Sequence, residues 1–337
     1  MCLKLKNLHV LIIEDIQPMR ELTSAILKAQ GIGTISYAAD GEKGYDAYCK
    51  LRPDIILTDW QMPHMDGLQL TKLIRTSQQS PDKTVPIVMM TGYGSPSKIS
   101  TARDFGVTEF LVKPFSAIDI SKRLHNIIKS PRDFIITTNY AGPDRRRKID
   151  TGASPTGNNH RTNPDGYQQK IKSNHLLQSK VGMGIVPEDK IIKSQSIIEK
   201  NEINFVPIAT GFLNQLRLGL DNAYNDPNPT RRTIEKLIDP VMQIKANARI
   251  FKYARLGDLA SIMLNFLEGM NELDREMLEI VEAHHKTLNH IIQEELQGDG
   301  GQTGLAFENE LDAVCRRYVQ SRIARQKEAL LKIISTE

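Results

Sequence analysis

The chain has 337 residues, 40% hydrophobic and 25% charged, with a formal net charge of +4, which is enough for two ordinary domains and a linker. Its three cysteines, Cys2, Cys49 and Cys315, lie far apart without paired spacing, which argues against a disulfide framework and a zinc site. Residues 203–337 carry 16 basic and 19 acidic side chains, a poor electrostatic footprint for binding DNA phosphates.

At the amino terminus, Lys4 and Lys6 precede an apolar run that His9 interrupts and Glu14-Asp15 ends. That run is too short and too charged for a secretion signal. No stretch approaches membrane-spanning length, and the scattered, unpaired cysteines point to a reducing compartment, so the expected location is the cytoplasm. Strand-like runs at 9–14, 34–38, 54–58, 86–90 and 108–112 alternate with helical patterns. The alternation predicts an α/β fold with a doubly wound, five-stranded parallel sheet. The continuous aliphatic run Ile55-Ile56-Leu57, with two β-branched residues, suits a strand covered on both faces.

Four of these strands end in chemistry, at the edge where open α/β sheets bind ligands. Val10 to Ile13 runs into Glu14-Asp15, hard oxygen donors of the kind that suit Mg²⁺. The next such strand ends at Asp59. Pro86 to Met90 leads to Thr91, a hydroxyl donor, and Phe110-Leu111-Val112 leads to Lys113, a compact point charge. A carboxylate attacking a phosphoryl group approaches oxygens already rich in negative charge. A divalent metal and a lysine are what such an attack needs.

In order and approximate spacing, Glu14-Asp15, Asp59 with Met62-Pro63 and Asp66-Gly67 behind it, Thr91, and Lys113-Pro114-Phe115 resemble the CheY-like receiver domain of two-component response regulators. The resemblance covers 8–129 and implies a flavodoxin-like receiver. It implies that Asp59 accepts phosphate from a histidine kinase or phosphotransfer protein. It further implies that Glu14, Asp15, Asp59 and the Gln61 backbone carbonyl hold Mg²⁺ as cofactor, that Thr91 and Lys113 sense the phosphoryl group, and that Phe110 is the switch aromatic. Two positions depart from the commonest pattern: Glu14 stands where Asp is also common, and Phe110 where Tyr is frequent. A Phe has no hydroxyl to offer a partner. The receiver face is expected to be remodelled on phosphorylation and to support a homodimer or contact with the helical region.

After Pro131, the extended piece Phe134-Ile135-Ile136 leads to Gly142-Pro143-Asp144-Arg145-Arg146-Arg147-Lys148. The basic run Arg145 to Lys148 reads better as a linker or docking element than as a nucleic-acid patch, because short basic runs give frequent false matches. From about 150 to 201 the composition turns to Asn, Ser, Gln, Lys, Gly and Pro. Residues 130–202 are therefore expected to be a polar, disordered linker, with one short helical turn near Ile191-Ile192 and Ile197-Ile198.

Apolar residues at spacings of three and four mark helices at 208–224, 234–253, 256–270, 273–296 and 305–334. Long helices with short breaks predict an all-α helical bundle over 203–337. His284, His285 and His290 lack the Lys and Gly that follow the histidine of a phosphotransfer domain. Gly298-Asp299-Gly300-Gly301 lacks the Lys-Ser/Thr of a phosphate loop. The expected role of the bundle is a protein-interaction output rather than an enzyme. DNA binding, or an unrecognised enzymatic or phosphotransfer activity, is the alternative. Nucleic-acid and membrane partners are not expected.

Overall fold

The structure, a computed structural model, describes residues 3–94, 96–137, 140–144, 169–171 and 175–334. The chain divides into two compact units, Met1–Asn201 and Glu202–Glu337.

In the first unit, the strands β1 (His9–Ile13), β2 (Thr34–Ala38), β3 (Ile55–Asp59), β4 (Ile87–Thr91) and β5 (Glu109–Val112) form one parallel sheet in the order β2-β1-β3-β4-β5. Helices α1 (Gln17–Gln30), α2 (Gly41–Leu51), α3 (Gly67–Thr76), α4 (Pro96–Asp104) and α5 (Ala117–Lys129) connect and flank these strands. β3 and β4 are buried along their whole length, whereas the edge strand β2 is mostly open, which is why only the central strands read as unbroken apolar runs. The order reverses between β1 and β3, and a crevice at such a switch point is the natural ligand site. Helix starts are fixed by side chains that accept orphan backbone N–H groups: Asp40 for α2, and the capping boxes of Asp66 with Gln69 and Ser116 with Asp119 for α3 and α5. Gly67 has to be glycine, since a Cβ there would run into the carbonyl of Asp59.

Beyond α5 the structure differs from the expected disordered linker. The strands β6 (Phe134–Ile136), β7 (Ala141–Pro143) and β8 (Gln169–Ile171) form a small antiparallel sheet in the order β7-β6-β8. Helices α6 (Leu176–Val181) and α7 (Glu188–Glu199) follow, and α7 packs on α1 and α5. Its polar residues make the contact that the composition concealed. The Ser194 hydroxyl is 3.3 Å from the Ile26 carbonyl, and Gln195 Oε1 accepts the Ala117 N–H at 3.0 Å. Lys180 pairs with Asp54 at 2.6 Å, and the Lys4 N–H donates to the Val181 carbonyl at 2.8 Å. Arg145 to Lys148, and residues 149–168 and 172–174 of the stretch that follows, lie outside the described residues.

The second unit is helical: α8 (Val206–Tyr224), α9 (Arg231–Ala248), α10 (Ala254–Glu268), α11 (Arg275–Gln293) and α12 (Gly301–Ile334). α9 packs on α8 and α10, and α11 on α8 and α12. The periodic apolar residues are the ones that become buried, among them Leu216, Leu237, Val241, Met263, Val281 and Leu288. His284 is buried with its Nδ1 2.9 Å from the Ile280 carbonyl, and His285 Nε2 lies 3.1 Å from the Leu213 carbonyl. Both imidazoles are thus engaged in packing. Among the described residues, no helix is long and apolar enough to cross a membrane.

Candidate acidic site at the strand ends

Because β1 and β3 are parallel neighbours, their carboxyl ends emerge side by side. Glu14 and Asp15 follow β1 directly and Asp59 closes β3. One carboxylate oxygen from each of the three lies within 4.8 Å of the others. Glu14 and Asp59 are buried and Asp15 is half-buried. Across from them, Lys113 follows β5, and its Nζ lies 2.8 Å from Glu14 Oε2 and 2.9 Å from Asp59 Oδ1.

Thr91 ends β4 one position beyond Met90, the residue in register with Asp59. Its Oγ1 accepts the Tyr93 N–H at 2.9 Å, and its carbonyl accepts the Lys113 N–H at 2.7 Å. The hydroxyl proton of Thr91 is therefore not needed for the Tyr93 bond. Gln61 follows the site strand by two residues, and its side-chain amide donates to the Tyr93 hydroxyl at 3.2 Å. The Trp60 and Tyr93 rings lie 5.3 Å apart and tie the β3–α3 loop to the β4–α4 loop. Phe110 is half-buried on β5, in register with Met89.

Three acids around one amine leave an excess of negative charge, and burial sharpens the repulsion. Two unit charges 4 Å apart interact by about 4 kcal/mol at an effective dielectric constant of about 20. Burial, and after it the charge of Asp59, push Asp15 up to about 6, and the same causes hold Glu14 well above the ordinary carboxylate range. Burial works against the Lys113 charge, but Asp59 and Glu14 together outweigh it and hold the ammonium above its usual range. Asp15 Oδ1 is buried without a hydrogen-bond partner. An orphaned carboxylate oxygen beside two other acids is a donor set that fits a hard divalent cation.

The structure brings Glu14, Asp15, Asp59 and Lys113 into one cluster, with Thr91 at the end of β4, Gln61 on the β3–α3 loop and Phe110 on β5. Sequence reasoning missed Tyr93, which packs against Trp60 and receives the Gln61 amide. Nothing in the sequence around Tyr93 signals that role, because its partners are supplied by another loop.

A family model described as the response regulator receiver domain matches residues 10–125. The chemotaxis protein CheY-3 of Vibrio cholerae is 32% identical over 124 residues, which are 37% of this chain and 94% of that protein. A CheY homologue from Campylobacter jejuni is 30% identical over 122 residues, 36% of this chain and 92% of that protein. Among solved structures, the CheY4 protein of Vibrio cholerae is 33% identical and covers 36% of this chain and 98% of its own, with a TM-score of 0.33. The five-stranded parallel sheet, the acidic cluster at its carboxyl edge and the nearly complete coverage of CheY-3 and the Campylobacter homologue agree: through residues 10–125, the chain belongs to the response regulator receiver family.

Proposed function

We propose that Asp59 is the phosphoacceptor of a Mg²⁺-dependent two-component relay, and that its phosphorylation switches a protein-binding output in the helical region. The observation that carries this reading is the position of Lys113, whose ammonium touches the Asp59 carboxylate inside a cluster of three acids. An Asp59 oxygen forms the new O–P bond as the N–P bond of a phosphohistidine donor breaks, and the departing imidazole nitrogen keeps the electron pair and is protonated. Lys113 neutralises charge on the equatorial oxygens, and the Thr91 hydroxyl donates to one of them. Glu14, Asp15, Asp59 and the Gln61 carbonyl would hold Mg²⁺, which when bound offsets the remaining negative charge of the phosphoryl group.

The donor in this reading is a histidine kinase or a phosphotransfer protein. The output is assigned to protein binding, because residues 203–337 carry more acidic than basic side chains and so suit a protein partner better than DNA phosphates. Receiver-mediated homodimerisation is part of the same proposal.

Acetyl phosphate labelling tests the acceptor. The wild-type protein is expected to be labelled in Mg²⁺ and not in EDTA, and Asp59→Asn is expected to abolish labelling. Undiminished labelling of the Asn variant would assign the phosphate elsewhere.

A further inference from the structure

Arg75, near the end of α3, is 1% exposed, and among the described residues no carboxylate lies within ion-pair distance of it. Its guanidinium is satisfied by neutral acceptors instead. Nε donates to the Gly106 carbonyl at 3.0 Å, Nη1 to the Lys83 carbonyl at 2.8 Å and Nη2 to the Thr108 hydroxyl at 3.4 Å. The remaining face lies over the Phe134 ring, 5.3 Å from its centroid. One buried cation therefore joins the end of α3, the α3–β4 loop, the turn between α4 and β5, and the hairpin β6–β7.

The backbone reinforces this joint. Gly106, in the α4–β5 turn, has φ +92°, and a Cβ there would run into the Ala141 carbonyl. A Cβ on Gly142 would lie 2.7 Å from Gly106 Cα. The two glycines allow turn and hairpin to touch without side chains between them. A buried guanidinium that loses one acceptor without replacing it incurs a desolvation cost. A displaced α4–β5 turn therefore has to carry the hairpin with it or break the joint. The opposite end of α4 leaves β4 just beyond Thr91, the hydroxyl assigned to the phosphoryl group.

We infer that Arg75, Phe134 and the Gly106–Gly142 contact form a joint that carries a change in α4 to the β6–β7 hairpin, so that the hairpin belongs to the conformational switch. The inference rests on the phosphoacceptor reading of Asp59. It concerns which part of the first unit responds to that event.

Hydrogen exchange of the full-length protein, with and without beryllofluoride in Mg²⁺, tests it. In the wild type, peptides covering α4 and peptides covering β6–β7 are expected to shift together. In Phe134→Leu and in Gly142→Ala, the α4 shift is expected to persist and the hairpin shift to be lost. The circular dichroism of each variant reports its fold, and either variant alone suffices for the comparison. A wild-type hairpin that stays unchanged while α4 responds overturns the inference, as does a hairpin that still responds in a folded variant. Acetyl phosphate labelling of the same wild-type preparation separates the two readings. No labelling overturns the phosphoacceptor reading and the joint with it, whereas labelling with an unresponsive hairpin overturns the joint alone.

Discussion

Lys113 Nζ lies 2.8 Å from Glu14 Oε2 across 99 residues of chain, and both side chains are buried. The pair bridges the outer strand β5 to the inner strand β1, with Asp59 of β3 between them. Removing the cation leaves two buried carboxylates facing each other, and breaking such a pair costs about 3–5 kcal/mol. Lys113→Met is therefore expected to lower the urea midpoint of the first unit in EDTA, with part of the loss recovered in Mg²⁺. An unchanged midpoint would mean that the amine contributes nothing to stability.

Trp60 is the single tryptophan of the chain and adjoins Asp59, with its ring 5.3 Å from Tyr93. Its fluorescence is expected to report Mg²⁺ binding. Asp15→Asn removes a charged donor whose Oδ1 has no hydrogen-bond partner, and should weaken the titrated affinity by roughly tenfold, about 1.4 kcal/mol. Wild-type affinity in that variant would remove Asp15 from the ligand set.

In the second unit, burial holds His284 below the ordinary imidazole range of 6.5, opposed only by the Ile280 carbonyl. A depressed folded pKa means that the unfolded chain binds the extra proton. The contribution is present above about pH 6.5 and is lost as pH falls through the folded value. The second unit of the wild type should thus lose stability below about pH 6.5, at up to about 1.4 kcal/mol per pH unit for each such group. His284→Leu should flatten that dependence without abolishing it, because burial depresses His285 as well. Thermal unfolding between pH 5 and 7.5, roughly the range in which histidines titrate, measures the slope; identical slopes would rule His284 out.

Ser194 is buried where α7 meets α1, with its hydroxyl 2.7 Å from the Lys190 carbonyl and 3.3 Å from that of Ile26. Ser194→Leu overfills this contact and should cost about 1–3 kcal/mol. Limited proteolysis of the full-length variant should then cut within α7, where the wild type resists. Equal resistance in both would show that α7 accommodates the larger side chain.

The acidic site was legible because chemistry in a parallel sheet collects at strand carboxyl ends, and the central strands announced themselves by unbroken apolar runs. Glu14, Asp59, Thr91 and Lys113 could therefore be placed before any contact was known. The helices of the second unit were legible from apolar period alone, since Leu237, Val241 and Val281 are buried as their spacing requires. The role of α7 was hidden because Ser194 and Gln195 dock through backbone carbonyls and amides of α1 and α5, which composition does not count. Arg75 was hidden for a related reason. A lone arginine on a helix reads as solvated, and only the fold assembles Gly106, Lys83, Thr108 and Phe134 around it.

Ser194 lies 168 residues after its acceptor at Ile26, which gives the α7 contact a meaning in time. During synthesis the sheet and α1 to α5 can assemble once Lys129 has emerged, but the outer side of α1 and α5 waits for α7, which ends at Glu199. At about 5–20 residues per second, those 70 or so further residues take several seconds. For that interval the nascent first unit presents to ribosome-associated chaperones, or to a neighbouring nascent copy, a face that the finished protein keeps covered.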